Sequence, residues 1–263
     1  MDSATEPQWT QQNDPLSQGN FPLYYAFFII PVCLLGLVGN LASVVIYLSP
    51  SFRCRSINLF LASLGVADFL LLLSSIPNFY PDHYLPPWLY VAAILYLYPV
   101  SIMFHCCSIW LLVAITFERW LAVCRPLQVV SYCTRQRAGC VILGVAASAV
   151  LFCLPRFWDA QVVWHSEKEF GFVKRLQHNE SYVFWYKTLA TTLALYVAPL
   201  VLIGSVNLRI ARELSRSSKI RRRLTLEDRS NEKTSTMLLY VVLCKLQQFV
   251  FNLKTAGTVG IVV

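Results

Sequence analysis

Apolar residues in this chain come in long, nearly uncharged runs, at roughly 22–48, 57–80, 87–117, 138–155 and 182–208. Each is close to or above the ~20 residues that carry a helix across a bilayer core, the fourth, at about 18, being the shortest. The third run is the clearest. No Asp, Glu, Lys or Arg stands from His83 through Phe117, and then Glu118 and Arg119 come together in ITFERWLAVCRPL. A soluble helix would spread charge along a solvated face, so this abrupt pair marks the end of a hydrocarbon crossing. A sixth run opens at Thr234 as TSTMLLYVVLC and then meets Lys245, Gln247, Gln248 and Lys254, so only half of it reads as a span. The predicted fold is all-α, a polytopic transmembrane helical bundle with about five complete spans and a partial sixth.

Composition agrees: 56% of residues are apolar, 14% are charged and the mean hydropathy is +0.53. Soluble domains carry about 25% charged residues. The net charge of +8 is segregated into loops and so gives no reason to expect nucleic acid. The segments after runs one, three and five hold fifteen Lys or Arg; the loop after run four holds five, and the two remaining connecting segments hold none. The positive-inside rule then puts the amino terminus outside the cell, as expected for a multi-pass protein of the plasma membrane. The first twenty residues contain Asp2, Glu6 and Asp14 but no base, the wrong sign for a cleavable signal peptide, so the first run is expected to stay as a span. The sequon Asn179-Glu180-Ser181 falls on the outer side of this topology, which makes Asn179 the glycosylation candidate. The nine cysteines include no Cys-x-x-Cys pair and are expected to be buried or cytosolic free thiols, with no metal site.

Polar residues inside the runs carry the candidate chemistry. Asp68, within NLFLASLGVADFLLLL, costs at least about 2.5 kcal/mol to place at mid-bilayer. It is either a protonated or helix-paired structural group, or an ion or proton site. Asn40 and Asn58 could join it if the first two helices pack at Gly36 and Gly39. Ser108, Leu112, Ile115 and Arg119 share one helical face, and Ser108 lies about 16 Å along the helix from Arg119, at a depth where it could meet Asp68. Pro77, Pro99 and Pro199 interrupt backbone hydrogen bonding inside the runs.

GLVGN, NLFLASLGVAD, SIWLLVAITFERWLAVCRPL and LYVAPLVLIGSVN resemble the first, second, third and fifth helices of rhodopsin-like G-protein-coupled receptors, over about residues 22–244. YLYPV, LPRFWD, TMLLYVVL and Asn207 following Pro199 are most similar to invertebrate FMRFamide-type neuropeptide receptors. The resemblance implies a bundle of the seven-helix receptor type that binds an extracellular peptide and a heterotrimeric G protein from within the lipid bilayer. It implies three domains: an extracellular segment 1–21, an incomplete receptor domain 22–244 and an atypical tail 245–263. Asp68, Ser108 and Asn40 match the family's polar site, where a sodium ion would sit; no other cofactor is expected. Arg119 matches the arginine that Glu118 holds until activation, with Trp120 where tyrosine is usual, and Pro126 and Leu127 match the inner loop that meets the G protein.

Two departures stand out. The disulfide that most such receptors place between span three and the second outer loop has no partners here, since residues 80–100 and 156–190 contain no Cys. After Cys244 the expected Cys-Trp-x-Pro and Asn-Pro-x-x-Tyr motifs are missing, so a truncation, splice form or mis-joined gene model is expected, with a non-signalling isoform that modulates a full-length partner as the alternative function. For the ligand, Tyr96, Tyr98, Met103, Phe157, Trp158 and Trp164 form either a pocket wall or an interfacial aromatic belt. A peptide ending in Arg-Phe-amide needs a carboxylate, and Asp159, beside Trp158, is the first candidate. Catalysis is not expected, because there is no phosphate loop, no His-Glu-x-x-His and no paired intramembrane carboxylates. Nor is a transporter, which would carry internal repeats and several intramembrane charges.

Overall fold

A computed structural model describes residues 21–50, 55–79, 86–159, 161–164, 170–173 and 179–222. The amino-terminal segment before residue 21, the sixth apolar run and the tail 245–263 lie outside the described residues. Five helical stretches are long and apolar enough to cross a membrane. The first is α1 (Phe21–Leu48) and the second α2 (Ser56–Ser75), which tightens into a 3-10 turn over Ile76–Phe79 at Pro77. The third joins α3 (Pro87–Ala92), a π turn (Ala93–Leu97) and α4 (Tyr98–Cys124), and the short α5 (Pro126–Tyr132) follows. The fourth is α6 (Arg135–Cys153) with a 3-10 extension (Leu154–Trp158). The fifth consists of π turns at Tyr182–Ala190 and Leu193–Val197 and then α7 (Ala198–Arg222).

Local chemistry explains these boundaries. Thr134 caps α6, its Oγ1 accepting from the Arg137 amide at 3.4 Å. That start and the 3-10 extension lengthen the fourth crossing to 24 residues, beyond its 18-residue apolar core. Pro99 and Pro199 each occupy the second position of a helix that begins where a π turn ends. A proline ring collides with the carbonyl four residues earlier and donates no hydrogen bond. Widening the preceding turn moves that carbonyl aside, and the Tyr98 amide bonds instead to Ala93 O, five residues back. The helices therefore cross their prolines without breaking.

Between the fourth and fifth crossings, β1 (Gln161–Trp164) and β2 (Phe170–Val173) form an antiparallel hairpin with Gln161 opposite Val173 and Trp164 opposite Phe170. The apolar-run pattern does not announce it, since each strand is only four residues long.

The chain divides into two compact units. Among the described residues, the larger holds those within 21–115 and 133–197, the smaller those within 116–132 and 198–222. In the larger unit α1 packs along α2. Gly36 faces Leu72, and Gly65 faces Val44 and the Asn40 carbonyl, where an added Cβ would lie 3.0 Å from Val44 Cγ2 and 3.2 Å from that oxygen. Gly39, expected at the contact, has nothing within 4 Å. Positions 36, 40 and 44 recur every four residues and share the face toward α2, whereas 39 is turned off it. Two buried clusters complete the unit. Phe60 and Ala67 of α2 meet Leu111 and Ile115 of α4 and Ala138 of α6, while Cys106 and Ile109 of α4 meet Ala149 and Cys153 of α6 and Leu195. Cys106 and Cys153 meet here without a disulfide. Apolar side chains elsewhere point outward, Leu35 at 74% and Leu151 at 69% exposure, as suits helices solvated by lipid.

Gly65→Val forces side-chain bulk against a backbone carbonyl, and overpacking of this kind costs about 1–3 kcal/mol. We expect a lower thermal unfolding midpoint for the detergent-solubilised protein, with Gly144→Ala, which meets nothing within 4 Å, unchanged. Equal midpoints would mean that α1 and α2 are not in close contact at Gly65.

Candidate functional site: polar groups between the spans

A buried polar contact joins α2 to α4. Ser108, completely buried, donates its hydroxyl hydrogen to Asp68 Oδ1. Both residues are flanked by the first apolar cluster, so the acceptor and donor meet in a setting where an unmade bond would cost more than in water. Asn40 approaches through its backbone carbonyl, which lies against Gly65, three residues before Asp68 on the same helix. Asp68 and Ser108 are thus brought together, while Asn40 flanks them from α1.

In the smaller unit, Glu118, Arg119 and Trp120 occupy the last two turns of α4, all half-buried. The Phe117 and Trp120 rings, three residues apart, are tilted against each other at 5.2 Å. After Cys124 the chain turns at Arg125, whose amide bonds to Leu121 O at 2.9 Å and whose own carbonyl accepts from Gln128 and Val129. Pro126 then opens α5, a position where its missing amide hydrogen is no loss. Leu127, on the first turn, is 92% exposed, which is unusual for a leucine and gives this turn an uncovered apolar tip.

The third group lies where α6 ends and the fifth crossing begins. Lys187 Nζ and Asp159 Oδ2 form an ion pair at 2.6 Å. Arg156, only 7% exposed, donates from Nη2 to Thr191 Oγ1 at 2.7 Å, and Thr191 donates in turn to Tyr186 O at 2.9 Å. The Arg156 guanidinium stands 5.6 Å from the Tyr186 ring centre, and the Tyr186 hydroxyl donates to Phe152 O. Tyr182 packs on Tyr186 at 5.2 Å between ring centres. Asp159 therefore already has an ammonium partner of its own, which its neighbourhood with Trp158 did not reveal. Arg156, Lys187, Tyr186 and Thr191 were not singled out by the sequence. The only hint was the three-residue spacing of Arg156 and Asp159, which puts them one turn apart with the Asp159 amide bonded to Arg156 O at 3.3 Å.

The other expected ligand contacts are spread out. Tyr98 is half-buried, Met103 packs against the second cluster, and Tyr96 and Trp158 are 60% and 57% exposed. Trp164 lies in β1. Asn179 is exposed, and its Oδ1 accepts from the Tyr182 amide at 3.2 Å, capping the turn that starts the fifth crossing. Among the described residues no group of three or more metal-ligating side chains occurs.

Polar and charged side chains meet one another here between helices long and apolar enough to cross a membrane, and the comparison with known families is decisive. Residues 39–255 match the model of the 7 transmembrane receptor (rhodopsin family). The chain belongs to that family. The receptor is 34% identical over 209 residues to FMRFamide peptide receptor frpr-18 of Caenorhabditis elegans, covering 75% of this chain and 48% of the relative. It is 27% identical over 259 residues to the FMRFamide receptor of Drosophila melanogaster, covering 90% of this chain and 47% of the relative. The thyrotropin-releasing hormone receptor of Homo sapiens is 33% identical over 135 residues, 49% of this chain and 33% of the relative. The receptor spans about half the length of the first two relatives.

Ser108→Ala leaves Asp68 without this donor. Removing one partner of a buried hydrogen bond costs about 1–3 kcal/mol. The expected result is a clear fall in unfolding midpoint in detergent, which Asp68→Asn in the same background partly restores because an amide cannot ionise and is cheaper to bury. If the double variant is no better than Ser108→Ala alone, the contact does not depend on the carboxylate.

Proposed function

We propose that this receptor responds to an extracellular FMRFamide-like neuropeptide and signals through a heterotrimeric G protein from the plasma membrane, with its amino terminus outside. The observation that carries this is the similarity to the Drosophila FMRFamide receptor, which runs over 90% of the chain and not over one helix. In this reading Asp159 lies on the side that receives the peptide, with Tyr96, Tyr98, Met103 and Trp158 as its aromatic and apolar contacts and Asn179 open to glycosylation. Glu118 and Arg119, followed by Trp120, form the latch at the cytoplasmic end of α4, and Pro126 and Leu127 present the contact for the G protein. An agonist acts here by binding the active arrangement more tightly than the inactive one.

The test is binding of tritiated Phe-Met-Arg-Phe-amide to membranes that carry the chain, followed by peptide-stimulated nucleotide exchange on added G protein. Saturable binding is expected, with Leu127→Ala lowering exchange about tenfold, as for loss of an interface anchor worth ~1–2 kcal/mol, while peptide affinity is unchanged. Absence of saturable binding would reject the ligand class, and an equal loss of binding and exchange in Leu127→Ala would reject the assignment of that turn.

Asp68 and Ser108 offer oxygen atoms only, which suits a hard cation. A sodium ion held there would balance the Asp68 charge. Replacing sodium by potassium in the buffer is expected to change peptide affinity in the unaltered receptor and to have no effect in Asp68→Asn. The same sodium response in both would remove the ion from this site.

A further inference from the structure

Three buried side-chain atoms in the Arg156 group have no hydrogen-bond partner: Nε of Arg156, Oδ1 of Asp159 and Oη of Tyr182. Unmet polar atoms in a buried setting are costly and mark where a partner belongs. Their residues are neighbours. Arg156 lies over the Tyr186 ring on which Tyr182 packs, and Asp159 is one helical turn from Arg156. Their chemistry is mixed, an N–H donor, a carboxylate acceptor and a hydroxyl that can do either.

That combination selects among the end groups of a peptide. A guanidinium has no acceptor for Arg156 and would enter beside two cations, Arg156 and Lys187. A carboxylate would accept from Arg156 but brings no donor for Asp159 Oδ1, and Lys187, held on Oδ2, does not stand between the two anionic oxygens. A primary carboxamide matches both in chemistry: its carbonyl accepts as Arg156 Nε–H requires, and its two N–H groups suit Asp159 Oδ1 and Tyr182 Oη. We propose that the Arg156–Asp159–Tyr182 cluster receives the terminal carboxamide of an amidated peptide. The proposal rests on the peptide-receptor reading above. It gives Asp159 a role different from pairing with the ligand's arginine, since Lys187 already balances its charge.

The experiment is displacement of tritiated Phe-Met-Arg-Phe-amide, on membranes carrying the full chain, by the unlabelled amide, the free acid and the N,N-dimethylamide. Affinities are compared only as ratios within one membrane preparation, which cancels any loss of folded receptor. In the unaltered chain the acid and the dimethylamide are expected to bind about tenfold more weakly than the amide, the effect of one buried hydrogen bond to a charged group. Asp159→Ala removes both the repulsion of the acid and the acceptor for N–H, so both ratios should fall toward one. Should that variant fail to reach the membrane, Tyr182→Phe carries the test through a smaller fall in the amide-to-dimethylamide ratio. Ratios unchanged in these variants, with the amide still bound, would overturn the cluster as amide site and leave the receptor reading standing, water then filling the unmet bonds. If none of the three displaces the label, both fall.

Discussion

A carboxylic acid group inside an apolar helix must be met by a donor from a neighbouring helix, and the larger unit is organised around that requirement. Asp68 can be reached by Ser108 only if α2 and α4 adopt one rotation and one depth relative to each other. Once they do, Phe60 and Ala67 lie against Leu111 and Ile115, and α6 closes the cluster with Ala138. The apolar contacts supply most of the burial, but lipid solvates a leucine about as well as another leucine does, so they do not by themselves choose a register. The polar pair does. Small residues finish the arrangement, Gly65 letting the α1 backbone come to van der Waals distance of α2.

How much of this is legible in the sequence follows the same division. The crossings are legible because roughly twenty uncharged residues in a row leave a soluble helix no solvated face, and their ends because charge or a capping residue stops them. Asp68 with Ser108 is legible because a mid-span carboxylate is expensive and the helical spacing from Arg119 fixes the depth of Ser108. Gly39 misleads because a small residue shows that a helix can approach, not on which side. The Arg156 group is out of reach on different grounds. Its members come from positions 28 to 35 residues apart across a connecting hairpin, and no periodicity links Lys187 to Asp159 or Thr191 to Arg156.

The same group bears on the missing disulfide. Receptors with the bridge fix the second outer loop covalently, whereas here Arg156, Thr191, Asp159 and Lys187 join the two crossings that flank the hairpin by hydrogen bonds and an ion pair. Such ties are weaker than a covalent link and depend on partners staying desolvated. They can also be exchanged for contacts with a ligand, which a disulfide cannot.

The π turns ahead of Pro99 and Pro199 also change how positions should be counted. Each wide turn fits one extra residue into the helix path, so everything before it is rotated by about 100° relative to an ideal helix drawn back from the proline. A helical wheel extended from Ser108 back through Trp88, or from Pro199 back to Lys187, assigns those residues to the wrong side. Residue-for-residue correspondence with a relative that lacks these wide turns is offset before Ala93 in the third crossing, and is offset again in the fifth, where a second π stretch, Tyr182–Ala190, precedes the one at Leu193–Val197. The turn is therefore a joint at which one inserted residue re-aims the half of a crossing before the proline, while the half beyond it keeps its register.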